Sequence, residues 1–206
     1  MIGDQARFNR AIAHFDALNA QDPNHETVDG KGYPKELLYA ERMSAMLARY
    51  TANPSEALQL AARCQHIQRW KISRSSYAMT RAGYHQWRRA LRDFHAETAR
   101  AVLREAGYED GMTARVCALL RKEGLLQADS EMQTLEDVVV LVFLESYLQQ
   151  FVEEHSDYDE AKFLDILRKT LRKMSPQGRQ YALTMISLPS ELTPLLKKLA
   201  EEDNAI

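Results

Sequence analysis

No stretch of this chain approaches the run of about 18 apolar residues that a membrane-spanning helix needs. The longest, Val138 to Leu144, is closed at its ends by Asp137 and Glu145. The first residues, MIGDQARFNRAIAHFDAL, carry acids early and lack an apolar signal core, which argues against export. Cysteine is almost missing. Cys64 and Cys117 have no CxxC spacing and lie in helical apolar patterns, so buried free thiols are expected rather than zinc held by this pair. A reducing cytoplasm suits them. No segment keeps up the two-residue alternation of a half-buried strand, which leaves an all-α fold. The most telling absence concerns charge of one sign. Between Ala57 and Arg92 there is no acidic residue, while Arg63, Arg69, Lys71, Arg74, Arg81, Arg88, Arg89 and Arg92 fall within that span.

Those eight residues belong to a total of 27 basic and 29 acidic side chains, so a formal charge of −2 conceals a strongly polarised molecule. Outside the basic block the chain is strongly acidic. Clustered guanidinium groups focus positive potential on a phosphate or carboxylate, so the block reads as an anion-binding surface. A length of 206 residues, 45% hydrophobic and 27% charged, suits one soluble helical domain with a proper core.

Helical periodicity covers most of the chain. Phe8, Ile12, Phe15 and Leu18 form a stripe over about Asp4 to Ala20. Gln21 to Pro34, rich in Asp, Asn, Gly and Pro, reads as a loop. Helices follow over Lys35 to Tyr50 and, after the turn Asn53-Pro54-Ser55, over about Ser55 to Trp70. Lys71 to Gly83 loses its period and is rich in serine, so a loop is expected there. Further helices span Tyr84 to Ala106, with Gly107 as the stop, and Met112 to Glu123, with Gly124 as the stop. A long helix from Ser130 to Glu154 and another from Tyr158 to Met174 come next. Ser175-Pro176 breaks the pattern, and two short helices, Gln177 to Ile186 and Pro189 to Glu202, complete it.

Metal and phosphate chemistry needs histidines and carboxylates gathered from different helices. Three strings supply candidates: Gln65-His66 in LQLAARCQHIQRW, His95 with Glu97 in RDFHAETARAVLREAGY, and Glu136-Asp137 in MQTLEDVVVLVFLESY. On one helix His95 and Glu97 diverge by about 200°, so they do not share a face. Asp137 borders a buried apolar run and therefore requires a partner. Trp87 reads as a core anchor. Trp70 is open between core and stacking on a base or a guanidinium.

The span Tyr39 to Leu144 resembles the helical core of the HD superfamily of metal-dependent phosphohydrolases. LQLAARCQHI corresponds to the string that carries their His-Asp pair, with Gln65 and His66 at those two places. FHAETARAVLREAGY corresponds to their later histidine string through His95, LEDVVVLVFLE to the final aspartate string through Asp137, and YAERM to the opening one, with Tyr39 at its histidine. The resemblance implies a divalent ion (Mn, Fe, Co, Ni or Zn) held by His66, His95 and Asp137, with help from Glu41 or Glu97. It implies catalytic roles for His66 and Asp137, and Lys122 stands about where some members carry a further histidine. Arg69, Lys71, Arg74, Arg81 and Arg88 would then clamp the substrate, a nucleotide or other phosphorylated small molecule.

At closer range, AARCQHIQRW, GYHQWRRALRDFHAE, QTLEDVVVLVFLE and LRKTLRKMS resemble a bacterial domain-of-unknown-function family, number 4202, whose members are often labelled glutamyl-tRNA synthetases. No HxGH-type or KMSKS-type string accompanies that label here. The alternative to an enzyme is a non-catalytic module that binds an anion or nucleotide, which Gln65 and Tyr39 in place of histidines favour. Neither a membrane nor a nucleic acid is expected as partner, and a homodimer is compatible with the sequence.

Overall fold

The computed structural model describes residues 2–123, 129–189 and 192–204. It is all-α apart from one small hairpin, and the chain divides into two compact units, Met1–Met132 and Gln133–Ile206.

The first unit contains α1 (Ile2–Asn19), a hairpin of β1 (His25–Val28) and β2 (Lys31–Pro34), α2 (Lys35–Tyr50), α3 (Glu56–Arg63), α4 (Arg81–Glu105) and α5 (Asp110–Arg121). The hairpin lies where a plain loop was expected. Its strands pair Val28 with Lys31, and the two residues between them, Asp29 and Gly30, have φ of 50° and 77°. Two successive left-handed residues form the tight turn whose twist matches antiparallel strands, and Asp-Gly supplies it at little steric cost.

Helix α3 starts as read, with the Ser55 hydroxyl accepting from the Leu58 amide, but it ends at Arg63 rather than near Trp70. The reason lies in another element. Asn19, at the end of α1 and 1% exposed, accepts the Gln68 amide through its side-chain oxygen at 2.9 Å, and Gln68 takes a left-handed φ of 51°. Residues 64–68 therefore turn back instead of continuing the helix. The expected loop from Lys71 contains single 3-10 turns at Arg69–Lys71 and Arg74–Ser76. Arg74 donates to the carbonyls of Tyr77 and Ala78 at 3.0 and 2.9 Å, and the Trp87 indole donates to Ile72 O at 2.9 Å. This loop is fastened to α4, which begins at Arg81 with Thr80 as its cap.

Helix α4 packs most extensively on α5. Leu60, Ile67, Leu91, Leu103 and Leu119 are fully buried, and Cys64 and Cys117 are buried free thiols, as expected. After Arg121 the chain stops the helix on Lys122, whose φ is 62°. The Gly124 expected as the stop lies outside the described residues.

Helix α6 (Ser130–Val142) leads into the second unit, where a π-helical turn at Phe143–Tyr147 precedes α7 (Leu148–Glu154). Then come α8 (Glu160–Leu171), α9 (Pro176–Thr184) and α10 (Thr193–Asn204). The Ser-Pro break falls as read: Ser175 caps α9 by accepting from Gly178 N, with Pro176 in the first turn. Among the described residues no helix is long and apolar enough to cross a membrane.

Candidate functional site

Three elements of the first unit bring together chemistry that is scattered in the sequence. The turn after α3 presents Gln65, His66 and Arg69. Helix α4 presents Arg88, Arg92 and His95, one stripe at i, i+4 and i+7. The left-handed stop after α5 presents Lys122. These side chains, with Leu91 and Leu120, line one cleft. It has about 10 Å³ open to a water-sized group, within about 250 Å³ of empty space that includes open solvent. Gln68 and Lys122, both non-glycine residues with positive φ, sit at the turns that aim the lining. Such conformations persist where the surroundings hold them, and they recur at functional sites.

His95 is 3% exposed and its Nδ1 lies 2.8 Å from the carbonyl oxygen of Ile67. A carbonyl only accepts, so Nδ1 carries the proton and Nε2 keeps its lone pair. That Nε2 is buried with no hydrogen-bond partner, as is Oε1 of Gln65. Burial, with Arg69 and Arg88 adding to it, pulls the His95 pKa down to about 3, against the Ile67 bond that favours the charged form.

His66 lies next to it, the ring centroids 5.9 Å apart, and is stacked on Tyr39 at 4.2 Å and 13°. Arg69 Nη1 approaches His66 Nε2 at 3.3 Å, and a guanidinium only donates. The proton of His66 is therefore on Nδ1, 3.5 Å from the Glu36 carboxylate. Burial drives the His66 pKa well below its usual range, helped by Arg69, His95, Arg88 and Lys122. Glu36 is pushed the other way, up to about 7, by its burial. Arg69 also lies over the Trp87 ring at 4.9 Å, and burial with the neighbouring Arg88 lowers its pKa.

The structure thus unites His66, His95, Lys122, Arg69 and Arg88 among the residues expected at the site. Lys71 and Arg81 are exposed and do not line the cleft, and Arg74 is engaged by the loop carbonyls. Arg92 was overlooked as a lining residue, although its three-residue spacing from His95 on a helix pointed to it. Gln65 lines the cleft as well. Asp137, expected as a third metal ligand, belongs to the second unit and is engaged there. Its Oδ1 accepts from the Ser175 amide at 2.8 Å and from Gln133 at 3.0 Å, and its Oδ2 accepts from the Ser175 hydroxyl at 2.6 Å. Glu97 pairs with Arg121 and Arg100.

The family described as Domain of unknown function (DUF4202) matches residues 9–196. The chain belongs to that family. No curated protein and no solved structure matches it. In this DUF4202 member the donor set does not fit the divalent ion that the HD resemblance implies. Where His66 Nε2 would bind an ion, it faces the guanidinium of Arg69, and the oxygens of Asp137 are committed to Ser175 and Gln133. Among the described residues no group of three or more His, Cys, Asp or Glu is placed to hold a metal.

The buried trio also makes stability depend on pH, with opposite signs. His66 and His95 have folded pKa values below their unfolded value of 6.5, that of His95 at about 3, so their contribution is complete above 6.5 and is lost progressively as the pH falls below it. Glu36, raised from 4.5 to about 7, contributes fully below 4.5 and loses its contribution as pH rises through 7. Melting temperature is expected to peak between these limbs. In His95→Gln, which keeps a donor for Ile67 but cannot titrate, the acid limb flattens. In Glu36→Gln the limb near pH 7 flattens. Calorimetric melting curves across pH check both, and identical limbs in variant and parent would refute the assignment.

Proposed function

We propose that the cleft binds the phosphate of a small phosphorylated molecule, with nucleotides among its ligands, and that it does so without a divalent ion. What carries the reading is the lining itself: Arg69, Arg88, Arg92 and Lys122 converge on one cleft whose lining contains no carboxylate. Guanidinium forks suit tetrahedral oxyanions, because paired N–H donors meet paired oxygens. Like charges gathered on one cleft repel one another, and a bound phosphate relieves that repulsion. Arg92 is partly engaged, with its Nε donating to Arg88 O at 3.3 Å, so it shapes the wall and adds charge. Arg69 and Arg88 are the principal anion ligands in this reading. DUF4202 membership is compatible with it and adds no activity of its own.

The metal-dependent hydrolase reading is set aside because His66 and Asp137 are directed to other partners. The test is calorimetric titration with inorganic phosphate and a nucleoside monophosphate in the presence of a chelator. Saturable binding is expected. Arg88→Ala is expected to weaken it about 10- to 100-fold, the loss of a charge-assisted hydrogen bond of about 1.5–3 kcal/mol. Arg81→Ala, an exposed residue that does not line the cleft, is expected to bind as the parent does. Absence of saturable binding, or an Arg81→Ala loss equal to that of Arg88→Ala, would refute the assignment.

A further inference from the structure

The cations explain attraction to an anion, but two buried atoms of lining residues run against it. His95 Nε2 and Gln65 Oε1 are both acceptors, both buried, and both without a donor. An unsatisfied buried acceptor costs roughly 1–3 kcal/mol, so a built site that retains one is awaiting a donor. A fully deprotonated oxyanion offers only further lone pairs. A partner that combines negative charge with an O–H satisfies both halves of the cleft.

Resting on the phosphate-binding reading above, we infer that His95 Nε2, seconded by Gln65 Oε1, selects an oxyanion that carries its own proton. The pocket therefore takes a phosphate or phosphomonoester through a P–OH group and discriminates against sulfate. The free space in the cleft, about 10 Å³, admits one hydroxyl-sized group, and in this reading the remaining oxygens are held by Arg69, Arg88, Arg92 and Lys122.

The assignment of His95 as an acceptor does not depend on its titration. Moving the proton to Nε2 would set the bare Nδ1 lone pair against the Ile67 carbonyl at 2.8 Å and would remove the donor that bond requires. Protonating both nitrogens would place an imidazolium in one cleft with Arg69 from the turn after α3, Arg88 and Arg92 from α4, and Lys122 from the end of α5, beside the neutral His66 ring. The carboxamide of Gln65, by contrast, exchanges oxygen for nitrogen by a half-turn, so His95 is the decisive group. It acts as a specificity-determining residue here.

The inference makes a prediction that simple Coulomb attraction reverses. Sulfate and phosphate are tetrahedral and nearly equal in size. Near pH 6 sulfate is the dianion and phosphate is mainly the monoanion, so a purely cationic site prefers sulfate. Competition titrations of the intact protein with inorganic phosphate and sulfate near pH 6, at constant ionic strength, are expected to give phosphate at least about 10-fold tighter, in line with loss of one hydrogen bond at a buried acceptor. In His95→Phe the preference for phosphate over sulfate is expected to vanish or reverse, and in Arg88→Ala both anions weaken together. The decisive ratio is measured on the parent protein, so a poorly folding His95 variant does not leave the question open. Sulfate bound as tightly as phosphate overturns this inference and leaves anion binding standing. Failure of both anions to bind overturns the phosphate-site reading and this inference with it.

Discussion

Asp137→Ala is expected to lower the melting temperature by about 10 °C and to leave the proposed phosphate binding unchanged. Asp137 is 1% exposed and holds the start of α9: the Ser175 amide, the Ser175 hydroxyl and the Gln133 amide all donate to it. Hydrogen bonds to a charged group contribute about 1.5–3 kcal/mol each, and they are not additive within one network. A net loss of about 3–4 kcal/mol is reasonable, which for a chain of this length shifts melting by about 10 °C. Asp137→Asn keeps the shape but sets an amide N–H₂ against donors already present, so it gains little back. Gly178→Ala tests the same contact from the other side. A methyl group there would lie 2.6 Å from the Asp137 carboxyl carbon, so the carboxylate is displaced and the cap is lost. Differential scanning calorimetry decides the matter. Melting within about 2 °C of the parent in both Asp137→Ala and Gly178→Ala would remove the capping role, since a mutational effect this size needs a named contact.

Gly83→Ala is the second large effect, expected in the loop that leads into α4. Gly83 lies in the first turn of α4, and its amide donates to the Thr80 hydroxyl at 3.1 Å. An added Cβ would overlap the Ala78 carbonyl oxygen and come within 2.9 Å of its carbon. Both are backbone atoms, which cannot rotate aside as a side-chain tip can. Relief requires the 72–80 segment to lift, and that pulls Ile72 O away from the Trp87 indole that donates to it at 2.9 Å. The cost is about 2–4 kcal/mol, in the range of overpacking with loss of a buried contact. It is expected to appear as faster limited proteolysis within residues 72–80 and as weaker phosphate binding, because Arg69 rests on the same Trp87 that fastens the loop. A Gly83→Ala protein as protease-resistant as the parent would show that the loop tolerates the displacement.

The helices were legible because apolar stripes and capping residues are local. Ser55, Thr80 and Ser175 each accept an amide three residues on, and the break at Ser175-Pro176 needs only proline's missing N–H. The hairpin was concealed because its strands are four residues each and mostly exposed, with no apolar face to alternate, although Asp29-Gly30 was a turn signal in plain sight. The early end of α3 was not local at all. Asn19, 49 positions away, captures the Gln68 amide, and that turn alone moves Gln65, His66 and Arg69 off the helix and toward α4.

Charge segregation was equally plain, since eight basic residues with no acid among them need no coordinates to be seen. Which of them face a common point was decided by packing. Arg63 pairs with Asp16 at 2.6 Å, Arg74 is held by carbonyls, and Arg69 and Arg88 remain at the cleft. Composition and periodicity by themselves established an all-α chain with a basic segment. Only the tertiary structure could assign Asp137 to Ser175 rather than to a metal and leave His95 Nε2 without a donor, because a side chain's partner depends on which distant segment folds against it.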